Sequence, residues 1–391
     1  MNAVIHMQDG AAYGSVTERI ERFFEQRRAS TPFVVIDLDV VRSNYRALSA
    51  LLPTASIYYA VKANPAPEVI RTLNELGACF DLASAGEIER SLGAGVPAHH
   101  CSFGNTIKSE QDIALAAREG LDLYAFDSEG ELEKLARLAP GARVFCRLLV
   151  ANAGSQWPLS RKFGCSHAMA AELLLSARRR GLRPVGASFH VGSQQTDPHE
   201  WSLAIGGACK VFRTCARAGL DLQLLNIGGG LPAHYRTPVP ALGAYAETIE
   251  SALTFEFGSA RPQVLVEPGR YLVGDAGLLR STVLLISRKS HHSPRRWVYL
   301  DAGRYNGLPE TLSERIQYRI RTSRDDGPSE PATLAGPSCD STDILYQRAG
   351  YELPLDLAVG DTIDFLSAGA YTASYASVEF NGFPPIHTYC I

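Results

Sequence analysis

The spacing of apolar and polar residues changes along the chain and predicts three kinds of element. Residues 16–28 place Ile20, Phe23 and Phe24 at helical spacing between charged residues, which predicts an amphipathic helix. Residues 32–38 (PFVVIDL) form an apolar run that is typical of a strand. From residue 38 onward, short apolar runs alternate with helical patterns, so this part of the chain is predicted to alternate between strands and helices.

Eight strands are predicted in the alternating part of the chain. They are residues 56–61, 79–84, 99–105, 121–127, 142–150, 183–193, 222–230 and 261–270. Eight buried strands that alternate with seven or eight helices are typical of a parallel (β/α)8 barrel. An open doubly wound sheet is the alternative, and it fits less well because the unit recurs eight times and polar residues end most strands.

Beyond Arg270 the helical patterns stop and short apolar runs predict a second, all-β domain. These runs are residues 281–287, 296–302, 332–336, 361–367 and 370–376. Two polar segments, residues 288–296 and 321–330, are predicted to be exposed, mobile loops. The strand at 32–38 precedes the barrel, so we expect it to join the β-domain. The predicted domains are therefore a barrel over residues 38–270 and a β-domain made of residues 1–37 and 271–391.

Composition narrows the classes of protein to consider. The chain has 391 residues, of which 46% are hydrophobic, enough for one large domain and a smaller one. A formal net charge of −3 gives no reason to expect a nucleic acid or an anionic membrane as partner. We see no apolar run near the roughly 20 residues of a membrane span and no secretory signal. The 8 cysteines show no metal-like spacing, which predicts reduced thiols, no metal site and a cytoplasmic protein; Cys209 and Cys215 are expected in a helix core.

Polar residues end most of the predicted barrel strands, where barrels carry their ligand chemistry. These residues are Lys62, Asp81, Asn105, Arg147, His190, the glycines 228–230 and Glu267. Lys62 ends a buried apolar run. It is either a lysine that reaches the surface or an amine whose pKa is lowered by burial so that it can form a Schiff base. The residues at the other strand ends favour the second interpretation.

Three more strand ends are suited to an aromatic, phosphorylated ligand. Three consecutive glycines at 228–230 let the backbone approach an anion, although a plain tight turn is equally compatible. Glu267 could pair with a pyridinium nitrogen and Arg270 could bind phosphate bidentately, unless the two form a rim ion pair. His190 could stack on a ring, and the Ser193 hydroxyl could donate to phosphate.

Seven motifs carry a resemblance to a known family. They are YYAVKAN (58–64), FDLASAGEIE (80–89), SFHVGSQ (188–194), NIGGGLP (226–232), EPGRYLV (267–273), GPSCDSTD (336–343) and AGAYTASYASVEFNGF (368–383). Together and in this order, they resemble the pyridoxal-phosphate-dependent decarboxylases of the alanine-racemase-like fold, the ornithine and diaminopimelate decarboxylase group. The resemblance covers nearly the whole chain and implies pyridoxal 5′-phosphate as cofactor.

The resemblance also implies roles for single residues. Lys62 would carry the cofactor covalently, Glu267 would keep the pyridine nitrogen protonated, and His190 would stack on the ring. The phosphate would be held by Ser193, Gly229, Gly230, Gly269, Arg270 and Tyr371. Asp81 and Glu87 would lie near the lysine and the cofactor ring.

Residues of the predicted β-domain would complete the site of a partner subunit, so the resemblance implies a homodimer with shared active sites. Cys339 would protonate the carbon left by decarboxylation, and Asp340 would bind the distal amine of the substrate. The stretch 301–310 resembles the bacterial ornithine/lysine branch of the family. Tyr305, Glu310 or Glu314 could contact the substrate tail there, and a solvated helix face is the alternative.

The expected reaction is decarboxylation of L-ornithine to putrescine in polyamine biosynthesis, with L-lysine, which would give cadaverine, as a possible second substrate. A diaminopimelate decarboxylase is the nearest rival, but that group usually has Glu after the cysteine and this chain has Asp340. An alanine racemase would place Arg where this chain has Glu267. A non-catalytic paralogue that binds proteins would lack parts of a cofactor site that are all present here.

Overall fold

Ten helices and nineteen strands are assigned in the computed structural model, which describes residues 16–151, 153–157 and 162–391. The helices are α1 Glu18–Gln26, α2 Leu38–Leu51, α3 Pro67–Glu75, α4 Ala85–Gly93, α5 Glu110–Arg118, α6 Glu129–Leu138, α7 His167–Arg179, α8 His199–Arg217, α9 Leu242–Phe257 and α10 Arg270–Val273. Short 3-10 helices are Val61–Ala63, Ala98–His100, Gly258–Ala260, Pro309–Glu314 and Phe380–Gly382.

The strands fall into a first set up to residue 266 and a second set after it. The first set is β1 Phe33–Ile36, β2 Ala55–Ala60, β3 Cys79–Leu82, β4 Cys101–Phe103, β5 Leu123–Phe126, β6 Arg143–Arg147, β7 Ser155–Trp157, β8 Arg183–Ser188, β9 Ser193–Gln195, β10 Leu224–Asn226 and β11 Gln263–Val266. The second set is β12 Gly277–Ser287, β13 Arg296–Leu300, β14 Ile320–Thr322, β15 Ser329–Ala335, β16 Ile344–Tyr346, β17 Glu352–Pro354, β18 Thr362–Leu366 and β19 His387–Cys390.

Eight parallel strands close into a barrel in the order β2-β3-β4-β5-β6-β8-β10-β11, and β11 pairs with β2. Closure confirms the predicted (β/α)8 barrel, because an open doubly wound sheet would leave two edge strands without a partner. Most of the strands are shorter than predicted. The polar residues at the ends of the apolar runs lie in the last positions of the strands or just beyond them, and their side chains meet at one mouth of the barrel.

Serine residues start four of the barrel helices. The side chains of Ser84, Ser109, Ser128 and Ser166 each accept a hydrogen bond from a backbone amide in the first turn of α4, α5, α6 and α7. Such capping satisfies amides that have no partner within the helix. Each cap therefore ends a strand-to-helix loop at a fixed point on the barrel mouth.

Side chains alternate between two separate apolar cores along the barrel strands. The interior core is formed by Tyr58, Leu123, Ala125, Phe145, Leu224 and Leu265. The neighbouring positions Tyr59, Phe80 and Tyr124 belong instead to the large core between the strands and the helices. With apolar side chains filling the interior below, the polar strand ends are left to face the mouth.

Nine of the remaining strands form a sheet that is almost entirely C-terminal to the barrel, and the other two, β7 and β9, pair antiparallel with each other. Strand β1 pairs with β12 antiparallel and with β19 parallel. This pairing confirms the prediction that the strand near residues 32–38 joins the β-domain. Helix α1 packs on the same region, with Phe23 against Phe33 and Tyr389.

Two predictions for the β-domain are wrong in part. Residues 370–376 are turns and not a strand, because Tyr371 adopts a left-handed conformation, with φ +56°, and donates its amide to the Ala63 carbonyl. This segment therefore connects the β-domain to the barrel mouth. The polar segments 288–296 and 321–330 are not entirely loops either, since Arg296 is buried in β13 and Arg321 lies in β14.

A buried lysine fixes the β4–α5 loop at the mouth of the barrel. Lys108 Nζ lies 2.6 Å from the Ala125 carbonyl and 3.1 Å from Glu131 Oε1. Burial lowers the pKa of Lys108 to about 8 despite the nearby carboxylate of Glu131. A buried cation of this kind requires its partners, so the loop is held in one position.

All eight cysteines are free thiols, and Cys209 and Cys215 are buried in α8, as predicted. Across residues 16–151, 153–157 and 162–391, no helix has the length and apolar character needed to cross a membrane.

Candidate active site

The polar strand ends line one cavity of about 400 Å³ at the barrel mouth. Its barrel side is formed by Lys62, Asp81, Ala83, Gly104, Asn105, Arg147, His190, Ser193 and Glu267, and the β6–α7 segment and the β-domain add Trp157, Phe163, Glu310, Tyr371, Ser374 and Tyr375. A recess of about 10 Å³ adjoins it, lined by Gly230, Gly269 and Arg270 among others. A larger groove of about 810 Å³ between α7, α8 and α9 holds none of the strand-end residues.

Lys62 lies in the 3-10 turn that directly follows β2. Its Nζ is 3.3 Å from Asp81 Oδ2, and 44% of its side chain remains accessible from the cavity. Burial lowers the pKa of Lys62, but Asp81 and then Tyr371, Glu267 and Glu87 outweigh burial and raise it above its usual value. The sequence-based hypothesis of a lowered pKa is therefore wrong for the protein chain alone. Lys62 is an ammonium ion that must lose a proton before it can act as a nucleophile.

Asp81 is buried beside Lys62 at the end of β3. Its position depends on a residue that sequence reasoning missed: a Cβ on Gly104 would lie 1.9 Å from Asp81 Oδ1. Any side chain at position 104 would displace the carboxylate. Glu87, predicted to lie near the lysine, accepts a 2.7 Å hydrogen bond from the Ala83 amide.

Glu267 follows β11 and faces the same cavity. Its Oε1 accepts a 2.5 Å hydrogen bond from Asn226 Nδ2, and Asn226 Oδ1 accepts one from the Gly228 amide. Burial, together with the negative charge of Asp81, raises the pKa of Glu267 against the opposing effects of Lys62 and Asn226. A cation placed beside Glu267 would therefore be favoured, because it would keep this carboxylate ionised.

His190 is a neutral ring in this site. Its Nδ1 accepts a 3.0 Å hydrogen bond from the Gly192 amide, so the ring proton is assigned to Nε2. Burial lowers the pKa of His190 well below its usual value, and the cations of Arg147 and Lys62 add to this effect. The result is an uncharged planar surface beside Lys62 and Glu267.

The glycine triplet packs directly under these side chains. Gly228 and Gly230 have φ of +65° and +124°, conformations that favour glycine. A Cβ on Gly229 would lie 2.5 Å from the Glu267 carbonyl, and one on Gly230 would lie 2.6 Å from the Gly192 carbonyl. The backbone here packs against these carbonyls more closely than any side chain would allow, and it places Gly230 at the wall of the recess.

Arg270 is buried beside the recess, but its hydrogen bonds differ from the sequence-based expectation. Its Nη1 and Nη2 each lie 2.6 Å from an oxygen of Glu310, and Nη1 also donates to the Tyr235 hydroxyl at 2.7 Å. Its Nε and Nη2 donate to Ser193 Oγ at 3.3 and 3.1 Å. The bidentate partner of Arg270 is thus Glu310, where the sequence suggested phosphate.

The structure separates the two acidic residues that were predicted at the substrate tail. Glu310 lines the cavity but is paired with Arg270. The carboxylate of Glu314 accepts hydrogen bonds from the backbone amides of Gln347 and Arg348 at 3.0 and 2.9 Å. Among the described residues that form the cavity wall, Glu314 is absent.

Tyr305, Cys339 and Asp340 form a separate group on the β-domain. The Tyr305 hydroxyl lies 2.8 Å from Thr342 Oγ1, which itself donates to Asp340 Oδ1 at 2.6 Å. These bonds from Thr342 lower the pKa of Asp340. Cys339 is exposed and its amide donates to Asn381 Oδ1. None of the three belongs to the described lining of this chain's own cavity.

Sequence reasoning assigned no role to four further residues of the site: Gly104, Arg147, Asn226 and Tyr235. Arg147 ends β6, and its guanidinium lies 5.0 Å from the Phe163 ring on the cavity wall. Asn226 lies two residues before the glycine triplet, which is a signal that could have identified it. Nothing in the sequence near Tyr235 indicates that its hydroxyl meets Arg270.

The residues present fit pyridoxal 5′-phosphate on structural grounds. The cavity offers a lysine amine for the aldehyde, a carboxylate whose raised pKa favours a neighbouring cation, and a flat neutral imidazole. The glycine turn and the Ser193 hydroxyl border a recess at one end of the cavity, where a phosphate would lie.

Comparison with known proteins agrees with this fit. Residues 38–274 match the family model of the pyridoxal-dependent decarboxylases, pyridoxal binding domain. The chain is 34% identical over 358 residues to a lysine/ornithine decarboxylase of Selenomonas ruminantium, covering 91% of this chain and 88% of that protein. It is also 34% identical over 397 residues to antizyme inhibitor 2 of Xenopus laevis, covering 97% and 86% of the two chains.

A solved structure of a decarboxylase has the same fold as this chain. A lysine/ornithine decarboxylase from Vibrio vulnificus, complexed with cadaverine, superposes with a TM-score of 0.87 at 32% identity, covering 96% of this chain and 100% of that one. The family model spans the barrel, and the relatives and the solved structure span nearly the whole chain. The protein therefore belongs to the pyridoxal-dependent decarboxylases and uses pyridoxal 5′-phosphate as its cofactor.

Proposed function

We propose that this protein decarboxylates L-ornithine to putrescine in polyamine biosynthesis and also accepts L-lysine, giving cadaverine. The observation that carries the proposal is the cavity in which Lys62, Asp81, His190 and Glu267 face one another. The retention of these groups supports an enzyme over a non-catalytic relative. Asp340 directly after Cys339 favours a substrate with a bare distal amine over diaminopimelate, whose tail is an amino acid.

Each residue of the cavity has a distinct part in the proposed reaction. When bound, pyridoxal 5′-phosphate supplies an aldehyde for an amine and a ring that accepts the electron pair released with carbon dioxide. Lys62 would hold the aldehyde, and Asp81, whose carboxylate lies 3.3 Å from Nζ, would position the amine. His190 would support one ring face. Glu267 would keep the ring nitrogen protonated, since opposite charge stabilises a cation.

Among the described residues of the cavity wall, no carboxylate is left free for the distal amine of the substrate. Asp81 is engaged by Lys62, Glu267 by Asn226, and Glu310 by Arg270. Asp340 is partly exposed on the β-domain of the same chain, grouped with Cys339 and Tyr305. We propose that this group enters the cavity of a second copy, so that Asp340 binds the distal amine and Cys339 donates the proton that replaces the carboxylate.

This arrangement makes the protein a homodimer with two shared sites. We further propose the domain division of residues 38–270 against 1–37 with 271–391, supported by the barrel strands, which all lie within residues 55–266. A cytoplasmic location is also proposed, supported by the eight free thiols.

The substrate assignment predicts the outcome of a carbon dioxide release assay with ornithine, lysine, arginine and meso-diaminopimelate. Turnover is expected with ornithine, and more weakly with lysine, because a single carboxylate recognises a bare ammonium ion. Meso-diaminopimelate carries a second carboxylate that Asp340 would repel. A preference for diaminopimelate or arginine at equal concentration would contradict the proposal.

Glu267→Gln is expected to retain the cofactor but to lose turnover on the order of 10²-fold, because a neutral amide does not stabilise a protonated ring. Cofactor content is measured by absorbance after gel filtration, and kcat by carbon dioxide release. Near-normal kcat with full cofactor content would show that ring protonation does not depend on Glu267.

Shared sites predict complementation between two inactive variants. In a dimer of Lys62→Ala with Cys339→Ala, one site carries both lesions and the other carries neither. Random exchange at equal mixing makes about half of the dimers mixed, so roughly a quarter of wild-type activity should return. Activity is measured after subunit exchange, and the product is identified, since Cys339→Ala can decarboxylate with faulty protonation.

The matched control mixes Lys62→Ala with Glu267→Gln under the same conditions. Both lesions lie on the barrel, so each site of a mixed dimer keeps one lesion and no intact site forms. If exchange is demonstrated and the Lys62→Ala and Cys339→Ala mixture recovers no more than this control, each site belongs to a single chain.

A further inference from the structure

Glu310 and Arg270 form a buried ion pair at the border between the phosphate recess and the substrate cavity. Their side chains are each 3% exposed, and both carboxylate oxygens lie 2.6 Å from a guanidinium nitrogen. A carboxylate held at both oxygens by a buried arginine is already neutralised. It is poorly suited to bind the distal ammonium ion of a substrate.

The hydrogen bonds of Arg270 account for all five of its N–H groups. Two go to Glu310, one to the Tyr235 hydroxyl, and two to the hydroxyl oxygen of Ser193. Ser193 Oγ therefore acts as an acceptor on the side of Arg270. Its own hydrogen is left to point away from the guanidinium, and Ser193 and Gly230 line the same recess.

We propose that Glu310 is a positioning residue of the phosphate cradle. It fixes the plane of Arg270, and Arg270 in turn fixes the hydroxyl of Ser193 as a donor toward the phosphate. Glu310 thus acts on the cofactor through two intermediate side chains and makes no contact with the substrate tail. This inference rests on the proposed function only in its statement about the tail.

The matched control is a second ion pair of the same geometry outside the site. Glu250 accepts from Nη1 and Nη2 of Arg261 at 2.6 and 2.8 Å, at the end of the barrel strands opposite the mouth. Glu250→Gln therefore makes the same chemical change as Glu310→Gln without contact with the recess. This control shows which effects come from losing any ion pair and which come from losing the pair beside the phosphate recess.

The experiment titrates apo-protein with pyridoxal 5′-phosphate and, separately, with pyridoxal, which has the same ring and aldehyde but no phosphate. Glu310→Gln is expected to raise the dissociation constant for pyridoxal 5′-phosphate on the order of ten-fold, as removal of an orienting partner does in other sites. The dissociation constant for pyridoxal should be unchanged. Glu250→Gln should alter neither.

A kinetic measurement distinguishes this role from binding of the substrate tail. At saturating cofactor, KM for ornithine and lysine in Glu310→Gln should equal the wild-type value. A raised KM with unchanged cofactor affinity would overturn the proposal, as would tighter binding of pyridoxal 5′-phosphate or equal weakening of both aldehydes. A wild-type protein that decarboxylates no basic amino acid would refute the proposed function but leave the two titrations to decide the role of Glu310.

Tyr235→Phe keeps the test decisive if Glu310→Gln fails to fold. It removes one acceptor of Arg270 and leaves both charges in place. A smaller loss of affinity, confined to pyridoxal 5′-phosphate, is expected. An unchanged ratio of the two dissociation constants in this variant would overturn the proposal.

Discussion

The site depends on the attraction between one ammonium ion and the carboxylates that surround it. Lys62 follows β2, and the pairing of Ala60 with Asp81 places the β3 carboxylate beside it. On its other side β11 pairs with β2, which brings Glu267 into the same cavity. Buried charges are tolerated when they are paired. Closure of the barrel therefore determines where the charges lie. It also shifts the pKa values of Lys62 and Glu267.

The same electrostatics prepares the site for its cofactor. Glu267 and Asp81 are two carboxylates that share one cation, and burial with mutual repulsion raises the pKa of Glu267. A protonated ring nitrogen held beside Glu267 would relieve that repulsion and would favour the neutral form of Lys62. His190 stays neutral because burial lowers its pKa, and the cations of Arg147 and Lys62 add to this effect. The excess of negative charge around Lys62 in the cofactor-free chain thus favours the binding of a cationic ring.

The sequence was sufficient to predict the barrel and most of its mouth, because parallel strands all end on the same side. Polar residues after apolar runs, such as Lys62 and Glu267, were therefore expected to meet. Properties that depend on distance between side chains were not predictable. The raised pKa of Lys62 comes from Asp81 and then from Tyr371, Glu267 and Glu87, which lie far apart in the sequence. The pairing of Arg270 with Glu310 joins positions 40 residues apart. The turn at Tyr371 was mistaken for a strand because its conformation is set by contact with Ala63.

We propose that Lys62 is the amine that holds pyridoxal 5′-phosphate in this cavity. The most direct test is borohydride reduction of the native protein, followed by proteolysis and mass spectrometry of the cofactor-labelled peptide. A single labelled site at Lys62 is expected, because it is the lysine that lines the described cavity. A label at Lys108, Lys162 or any other lysine would show that Lys62 does not hold the cofactor.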